Sequence, residues 1–197
     1  ASSSGFAAAA LALSTAANLD LSLEEVSTIA RRGSSSAARS VTGGFSILRS
    51  SENDLECKSY RIEDGFNDDL RIIVAIVPAY KETESAHAEA TESHMFHARV
   101  KHAESQIFKA LDAIEIGDFD GIFSLAELDS ISLAATTMTG PKGWIYWKPE
   151  TLSIFENIRT LREGGAEAYF STDTGATVYI NTREKYVSQI SDSISDL

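Results

Sequence analysis

The segment Arg31-Arg32-Gly33-Ser34-Ser35-Ser36-Ala37-Ala38-Arg39-Ser40-Val41-Thr42-Gly43-Gly44-Phe45 constrains this chain more than any other. A glycine, a run of hydroxyl residues and an arginine come before a Gly-Gly pair, and the pair leads into an alternating run. The composition reads as a loop that ends one helical region and feeds a strand. Small hydroxyl residues let the backbone approach an anion closely, and Arg39 can grip a carboxylate or phosphate with two parallel hydrogen bonds. A flexible Ser-rich connector is the plain alternative.

The pattern on either side fits helices and short strands. Ser2-Ser3-Ser4-Gly5 opens an Ala/Leu-rich segment that predicts a buried helix over about 6–18. The first amides of such a helix point outward unpaired and favour phosphate. Ser22-Leu23-Glu24-Glu25 resembles a capping box and starts a second helix over 22–31. Arg31 and Arg32 close that helix, where cations suit its dipole. Strands are expected at 44–48, 57–62 and 70–77, the last the most apolar and therefore central. Residues 81–92 read as a loop or short helix, and 93–116, 118–138 and 149–163 as helices. A hairpin with strands 166–171 and 176–181 and a terminal helix over 182–194 complete an α+β layered arrangement.

With 197 residues, 43% apolar and 23% charged, the chain is long enough for one domain, or one domain and part of another. A net charge of -12 argues against a nucleic-acid partner, which needs a basic face. An acidic protein that handles anions must gather its few cations locally, which draws attention to Arg31, Arg32 and Arg39. Cys57 has no second cysteine to pair with, which fits a reducing cytoplasm, and it is expected in or beside a strand. The apolar stretch 5–13 has no positive leader and is too short to span a bilayer, so no membrane partner is expected. Lacking an initiator Met and beginning inside what looks like a motif, the chain reads as the later part of a longer protein or a processed fragment.

Asp173 falls in Thr172-Asp173-Thr174-Gly175, between the hairpin strands. An aspartate in a tight turn commonly bonds its own backbone. Held at a strand end, it can also orient and deprotonate a hydroxyl. His94 and His97 have metal-like spacing but no third ligand in a defined motif. They and His102 read as solvated helix positions, and no metal site is assigned to side chains. His87 could reach a phosphate, but Lys81, Glu82 and Ser85 stand better placed at the end of the apolar strand. Trp144, Tyr146 and Trp147 read as core or dimer packing in preference to a ligand lid.

Taken in order, Ser2–Ala8, Ala30–Phe45, Lys81–Ser85, Asp118-Phe119 and Tyr169–Ala176 resemble the mevalonate diphosphate decarboxylase branch of the GHMP kinase superfamily. The likeness spans nearly the whole chain, and Arg-Arg-Gly-Ser-x-Ser-Ala-x-Arg-Ser with Gly-Gly-Phe is its most specific part. Through Lys81–His87, Ser93–Phe96 and Leu133–Thr139 the chain is most similar to archaeal-type phosphomevalonate and bisphosphomevalonate decarboxylases. The resemblance implies a GHMP kinase-like α+β fold. Residues 1–65 would be the end of a ribosomal-S5-like N-terminal domain, and 66–197 a ferredoxin-like α/β C-terminal domain.

It also implies roles. Ser2, Ser3, Ser4 and Gly5 match the tail of a phosphate-cradling loop that holds ATP, with Mg2+ accompanying the nucleotide. Ser34, Ser36 and Arg39 match substrate-binding residues, Arg39 on the carboxylate of the mevalonate unit, and Asp173 matches the aspartate near the tertiary hydroxyl. Catalysis would fall to Asp173 and Arg39, and the substrate phosphate to Lys81, Glu82 and Ser85. In the family, that hydroxyl is phosphorylated, then phosphate leaves as carbon dioxide is lost, giving an isopentenyl product of the mevalonate pathway.

Two departures bear on the substrate. Glu82 and Thr83 stand where diphosphate-specific enzymes carry Ser-Arg, and Asp173-Thr174-Gly175-Ala176 replaces Asp-Ala-Gly-Pro. The 5-phosphate or the 3,5-bisphosphate thereby gains over the 5-diphosphate, and a bisphosphate would need no ATP. A 3-kinase that stops after phosphoryl transfer and a non-catalytic homologue are the alternatives. A cytoplasmic homodimer is expected, with a phosphorylated mevalonate as its small-molecule partner.

Overall fold

The computed structural model describes residues 2–66, 69–79 and 83–195, with backbone alone over 83–86. It divides into two compact units, Ala1–Asp64 and Gly65–Leu197.

In the first unit, α1 (Ser2–Ala16), α2 (Leu23–Ala30) and α3 (Ser35–Thr42) pack with an antiparallel ribbon of β1 (Ser46–Leu48) and β2 (Ser59–Arg61). Its core is built from small side chains: Ala7 and Ala10 of α1, Val26 and Ala30 of α2, Ala37 and Val41 of α3. Small residues at the contacts let helix axes come close, and enlarging a fully buried alanine such as Ala37 costs about 1–3 kcal/mol. The capping box at the start of α2 is present, with Ser22 N–H donating to Glu25 Oε2 (2.8 Å) and Glu25 N–H to Ser22 Oγ (3.2 Å). Buried hydroxyls fasten the ribbon to the helices. Ser27 Oγ accepts from Ser59 N–H at 2.9 Å, and the Thr42 and Ser59 hydroxyls meet at 2.8 Å. Cys57 lies half-buried just before β2, at the end of a short 3-10 turn over Asp54–Glu56.

Two expectations need correction here. The serine-rich stretch is not a loop: Ser34 is the N-cap residue of α3, and the helix runs through Arg39. Ala37, Ala38, Val41 and Thr42 bury one face of it, and that burial outweighs the weak helix preference of the serines. Gly43 ends it at φ +67°, a backbone conformation that side chains disfavour. Nor is α1 buried all round. Ala7, Ala10 and Ser14 form a narrow buried stripe, while Phe6 and Leu13 are exposed.

In the second unit the elements are β3 (Leu70–Ala75), α4 (Thr83–Glu92), α5 (Phe96–Ile116), α6 (Phe119–Met138), α7 (Pro149–Glu163), β4 (Ala168–Ser171), β5 (Val178–Arg183) and α8 (Val187–Ile194). The antiparallel sheet runs β3-β5-β4, with Ile180 of β5 paired to Ile73 on one side and Phe170 on the other. Alternate residues Ala168, Phe170, Val178 and Ile180 face α7 and α8, whose Phe155, Ile158 and Ile190 complete the core. Phe155 stacks on Phe170 with centroids 3.8 Å apart. α6 is tied to the sheet by buried Glu127, which accepts from Arg162 at 3.0 and 3.2 Å and from the Phe170 amide at 3.4 Å.

The apolar strand at 70–77 is therefore an outer strand among the described residues, not the central one. It buries Ile73 and Ala75 against the core, while Ile72 and Val74 remain exposed. The central β5 reads as less apolar because its buried polar residues are hydrogen-bonded. Thr182 Oγ1 donates to Glu167 O at 2.7 Å, and Asn181 Nδ2 to Ser171 Oγ at 3.3 Å. β5 also continues to Arg183, so the expected terminal helix begins only at Val187, after a 3-10 turn over Glu184–Tyr186. Ser93 separates α4 from α5, its hydroxyl accepting from Met95 N–H at 3.1 Å. No helix among the described residues is long and apolar enough to cross a membrane.

Candidate functional site

Candidate groups gather in two places, one in each unit. In the first unit the N-termini of α1 and α3 bring serines together. Ser3 Oγ is hydrogen-bonded to Ser36 Oγ, and Ser34 Oγ lies 3.1 Å from Ser36 Oγ. Gly33 makes this approach possible, because a Cβ there would stand 2.1–2.4 Å from the ring atoms of Phe6. The phenyl ring of α1 thus lies against the chain immediately before the α3 serines. No acidic residue occupies the first turn of either helix, so their outward amides and hydroxyls form a donor set free of like-charge repulsion toward phosphate. Ser2, Ser4 and Gly5 are exposed beside Ser3 on the first turn of α1.

Three arginines follow different paths. Arg31 donates to Cys57 O (3.0 Å), to Asp54 O (2.8 Å) and to the Asp54 carboxylate. Arg32 joins the same carboxylate at 2.6 Å. Arg32 and Arg31 together hold the Asp54 carboxyl below its ordinary range. Arg31 is the C-cap residue of α2, as expected, and both guanidinium groups are in addition pinned to the segment before β2. Arg39, in the last turn of α3, is exposed, and its guanidinium meets no partner among the described residues.

In the second unit, Asp173 stands exposed on the turn between β4 and β5. That turn is held at both ends. Thr172 N–H donates to Ser130 Oγ of α6 (3.0 Å), and Trp147 Nε1 donates to Thr172 Oγ1 (3.4 Å). On the far side, buried Thr151 of α7 donates to Ala176 O at 2.8 Å. The turn that carries the carboxylate is thus fixed by hydrogen bonds on both sides. Asp173 lines a cavity of about 100 Å³ with Val77, Ala79, Tyr146, Gly175, Thr177 and Tyr179.

Tyr146 is a residue that the sequence assigns to packing in preference to a ligand lid. It is 5% exposed and sits edge-on to Trp144 and Trp147, with centroids 5.7 and 6.1 Å apart. Trp147 does pack into the core, edge-on to Phe155 at 5.0 Å. Position three residues before Pro149, in a Gly-rich approach to a helix, gave no signal that Tyr146 would reach the Asp173 cavity. Burial pushes its phenol up to about 12; Thr137 and Arg99 oppose the shift and the charge of Asp173 adds to it.

Other candidates are not brought together. Lys81 and Glu82 lie outside the described residues, and Ser85 is placed only by its backbone, in the first half of α4. His87, His94, His97 and His102 are all exposed. Among the described residues no group of three or more His, Cys, Asp or Glu side chains could hold a metal ion.

Residues 1–60 match the diphosphomevalonate decarboxylase-like N-terminal domain. Over 99% of its length the chain is 61% identical to phosphomevalonate decarboxylase from Haloferax volcanii, covering 60% of that protein. It superposes on mevalonate diphosphate decarboxylase from Staphylococcus aureus with a TM-score of 0.93 and 27% identity, covering all of this chain and 61% of the other. A structure of MDDEF in complex with MVAPP, AMPPCP and magnesium matches with a TM-score of 0.89 and 26% identity, over 99% of this chain and 61% of that one. The chain thus spans about 60% of the length of each of these three proteins.

Proposed function

We propose, from the premise that this chain belongs to the mevalonate diphosphate decarboxylase branch of the GHMP kinase superfamily and has its α+β fold, that it forms part of an ATP-dependent decarboxylase of 5-phosphomevalonate. The observation that carries the reading is its likeness to the Haloferax volcanii phosphomevalonate decarboxylase along nearly the whole chain. The absence of a Ser-Arg pair at Glu82-Thr83 supports a monophosphate over a diphosphate, since a cation facing the second phosphate is missing. Residues 1–65 are assigned to the N-terminal domain of the fold and 66–197 to its C-terminal domain.

When bound, ATP with magnesium supplies the phosphoryl group that turns the tertiary hydroxyl of the substrate into a leaving group. The α1 N-terminus, with Ser2, Ser3, Ser4 and Gly5, suits its phosphates. Ser34 and Ser36 border the substrate, and Arg39 holds its carboxylate by a bidentate pair that leaves the carboxylate free to release electrons. Lys81, Glu82 and Ser85 are assigned to the 5-phosphate end. Asp173 orients the tertiary hydroxyl and takes its proton. As phosphate departs with the C–O electron pair, positive charge grows at the tertiary carbon, and the Asp173 carboxylate stabilises it. The C–C electron pair released with carbon dioxide then closes the double bond. A homodimer and a cytoplasmic location belong to the same reading.

The test is turnover of the full-length enzyme that includes this chain. Mevalonate, its 5-phosphate, its 5-diphosphate and its 3,5-bisphosphate are each supplied with and without ATP and magnesium, and carbon dioxide and ADP are measured. Carbon dioxide and ADP from the 5-phosphate are expected. ADP without carbon dioxide sinks the decarboxylase in favour of a 3-kinase, and carbon dioxide from the bisphosphate alone removes the ATP requirement. Asp173→Asn is expected to abolish turnover while leaving substrate affinity within about a few-fold.

A further inference from the structure

A buried hydroxyl with no partner is uncommon in a folded protein and calls for a physical account. Tyr146 Oη is such a group, and it is the one side-chain polar atom of this kind among the described residues. Its neighbour Thr137 gives its own hydroxyl proton to Ala134 O at 2.9 Å and so has none to donate to the phenol oxygen. Replacing this tyrosine by phenylalanine would remove the unpaired group and keep the ring, so packing alone does not explain the hydroxyl.

The arm that carries Tyr146 is firmly held. Buried Glu89 of α4 accepts from Lys142 N–H at 2.9 Å, and Ser93 and Thr139 join hydroxyls at 2.7 Å at the foot of the same arm. Trp147 anchors the other side through Thr172, the residue before Asp173. These ties set Tyr146 into the wall of the cavity that Asp173 also lines. At about 100 Å³ the cavity has room for a few atoms of an oxygen-bearing group, a water taking roughly 30 Å³.

We propose that Tyr146 is a second substrate-binding residue of the Asp173 cavity, whose hydroxyl donates a hydrogen bond to the tertiary oxygen of the substrate. The inference rests on the reading of Asp173 given above and extends it. A substrate hydroxyl carries one proton to donate and lone pairs to accept with. An ionised aspartate can only accept, so it serves the proton. A phenol that stays protonated can donate to the lone pair, and the burial that keeps Tyr146 neutral preserves it as a donor. Together the two side chains would read one oxygen from both sides. A site built this way also discriminates against analogues without that oxygen, because the buried donor is then left unpaired.

The experiment compares Tyr146→Phe with wild type in the full-length enzyme. The variant is expected to melt at the same temperature or higher and to lose about 10–100-fold in kcat/KM for 5-phosphomevalonate. A fall in melting temperature together with activity would mark the hydroxyl as structural and overturn the inference. So would an unchanged kcat/KM. A wild-type enzyme that decarboxylates none of the phosphorylated mevalonates sinks the functional reading separately. Calorimetric binding of 5-phosphomevalonate to both proteins then decides Tyr146: weaker binding by the variant supports the role, and identical behaviour overturns it.

Discussion

Arg31 and Arg39 lie in one short segment, yet the fold treats them in opposite ways. Arg31 is drawn onto two backbone carbonyls and a carboxylate, and Arg32 is drawn onto the same carboxylate. Arg39, on the next helix, stands exposed with no partner among the described residues. The contrast is informative in a chain with 29 acidic and 17 basic residues, where an arginine left without a carboxylate is the less expected outcome. Cations used to hold the ribbon against α2 contribute to stability. A cation kept out of such pairs remains available to an anionic ligand.

The sharpest way to break the comparison is to remove Arg39. Arg39→Ala in the full-length enzyme is expected to lose on the order of 3 kcal/mol of transition-state stabilisation, roughly a hundredfold in kcat/KM. The melting temperature should not move, because nothing in the fold leans on that guanidinium. Arg39→Lys keeps the charge but not the planar fork, so it should recover only part of the loss. Steady-state kinetics beside thermal melts distinguishes the cases, and an unstable Arg39→Ala would place this arginine with Arg31.

Arg31→Ala should give the reverse pattern. Its hydrogen bonds to Cys57 O and Asp54 O are lost, with an expected cost of about 1–3 kcal/mol in denaturant unfolding. Activity per folded molecule should stay within about twofold, since the change falls outside the serine cluster and the Asp173 turn. A large loss of kcat at unchanged stability would erase the distinction between the two arginines.

How much of this could be read from the residues differs between the same regions. The capping box at Ser22–Glu25 was legible because it is a local pattern with a local cause. So was the hairpin around Asp173, where Gly175 and the flanking apolar runs mark a turn. The helix at Ser35–Thr42 was not, because serine is a poor helix former and the burial of Ala37 and Val41 comes from α1 and α2. Strand order failed for a related reason: β3 looks central by its apolar content, while β5 is central through buried polar groups whose partners lie far along the chain. Arg31 closes α2 as the sequence suggests, but its pairing and that of Arg32 with Asp54, distant in sequence and adjacent in space, are not legible there. Tyr146 shows the limit most plainly, since only folding brings it beside Asp173.

The smallest expected effect lies at the carboxylate that receives Arg31 and Arg32. Asp54 has a folded-state pKa below its ordinary value, first through Arg32 and then through Arg31. A depressed pKa means that the folded protein binds the proton less readily than the unfolded chain. The contribution is therefore fully present above the unfolded value of about 4 and is lost as the pH falls through the lower folded value. Asp54→Asn should lower the melting temperature slightly at neutral pH and converge with wild type in acid. Because the side chain is half exposed, the neutral-pH difference should also shrink in about 1 M salt, where screening acts over roughly 3 Å. Arg39→Ala, melted under the same conditions, should follow wild type at every pH. If it instead converged on wild type in acid, Arg39 would have a carboxylate partner of its own, and its difference from Arg31 would be one of degree.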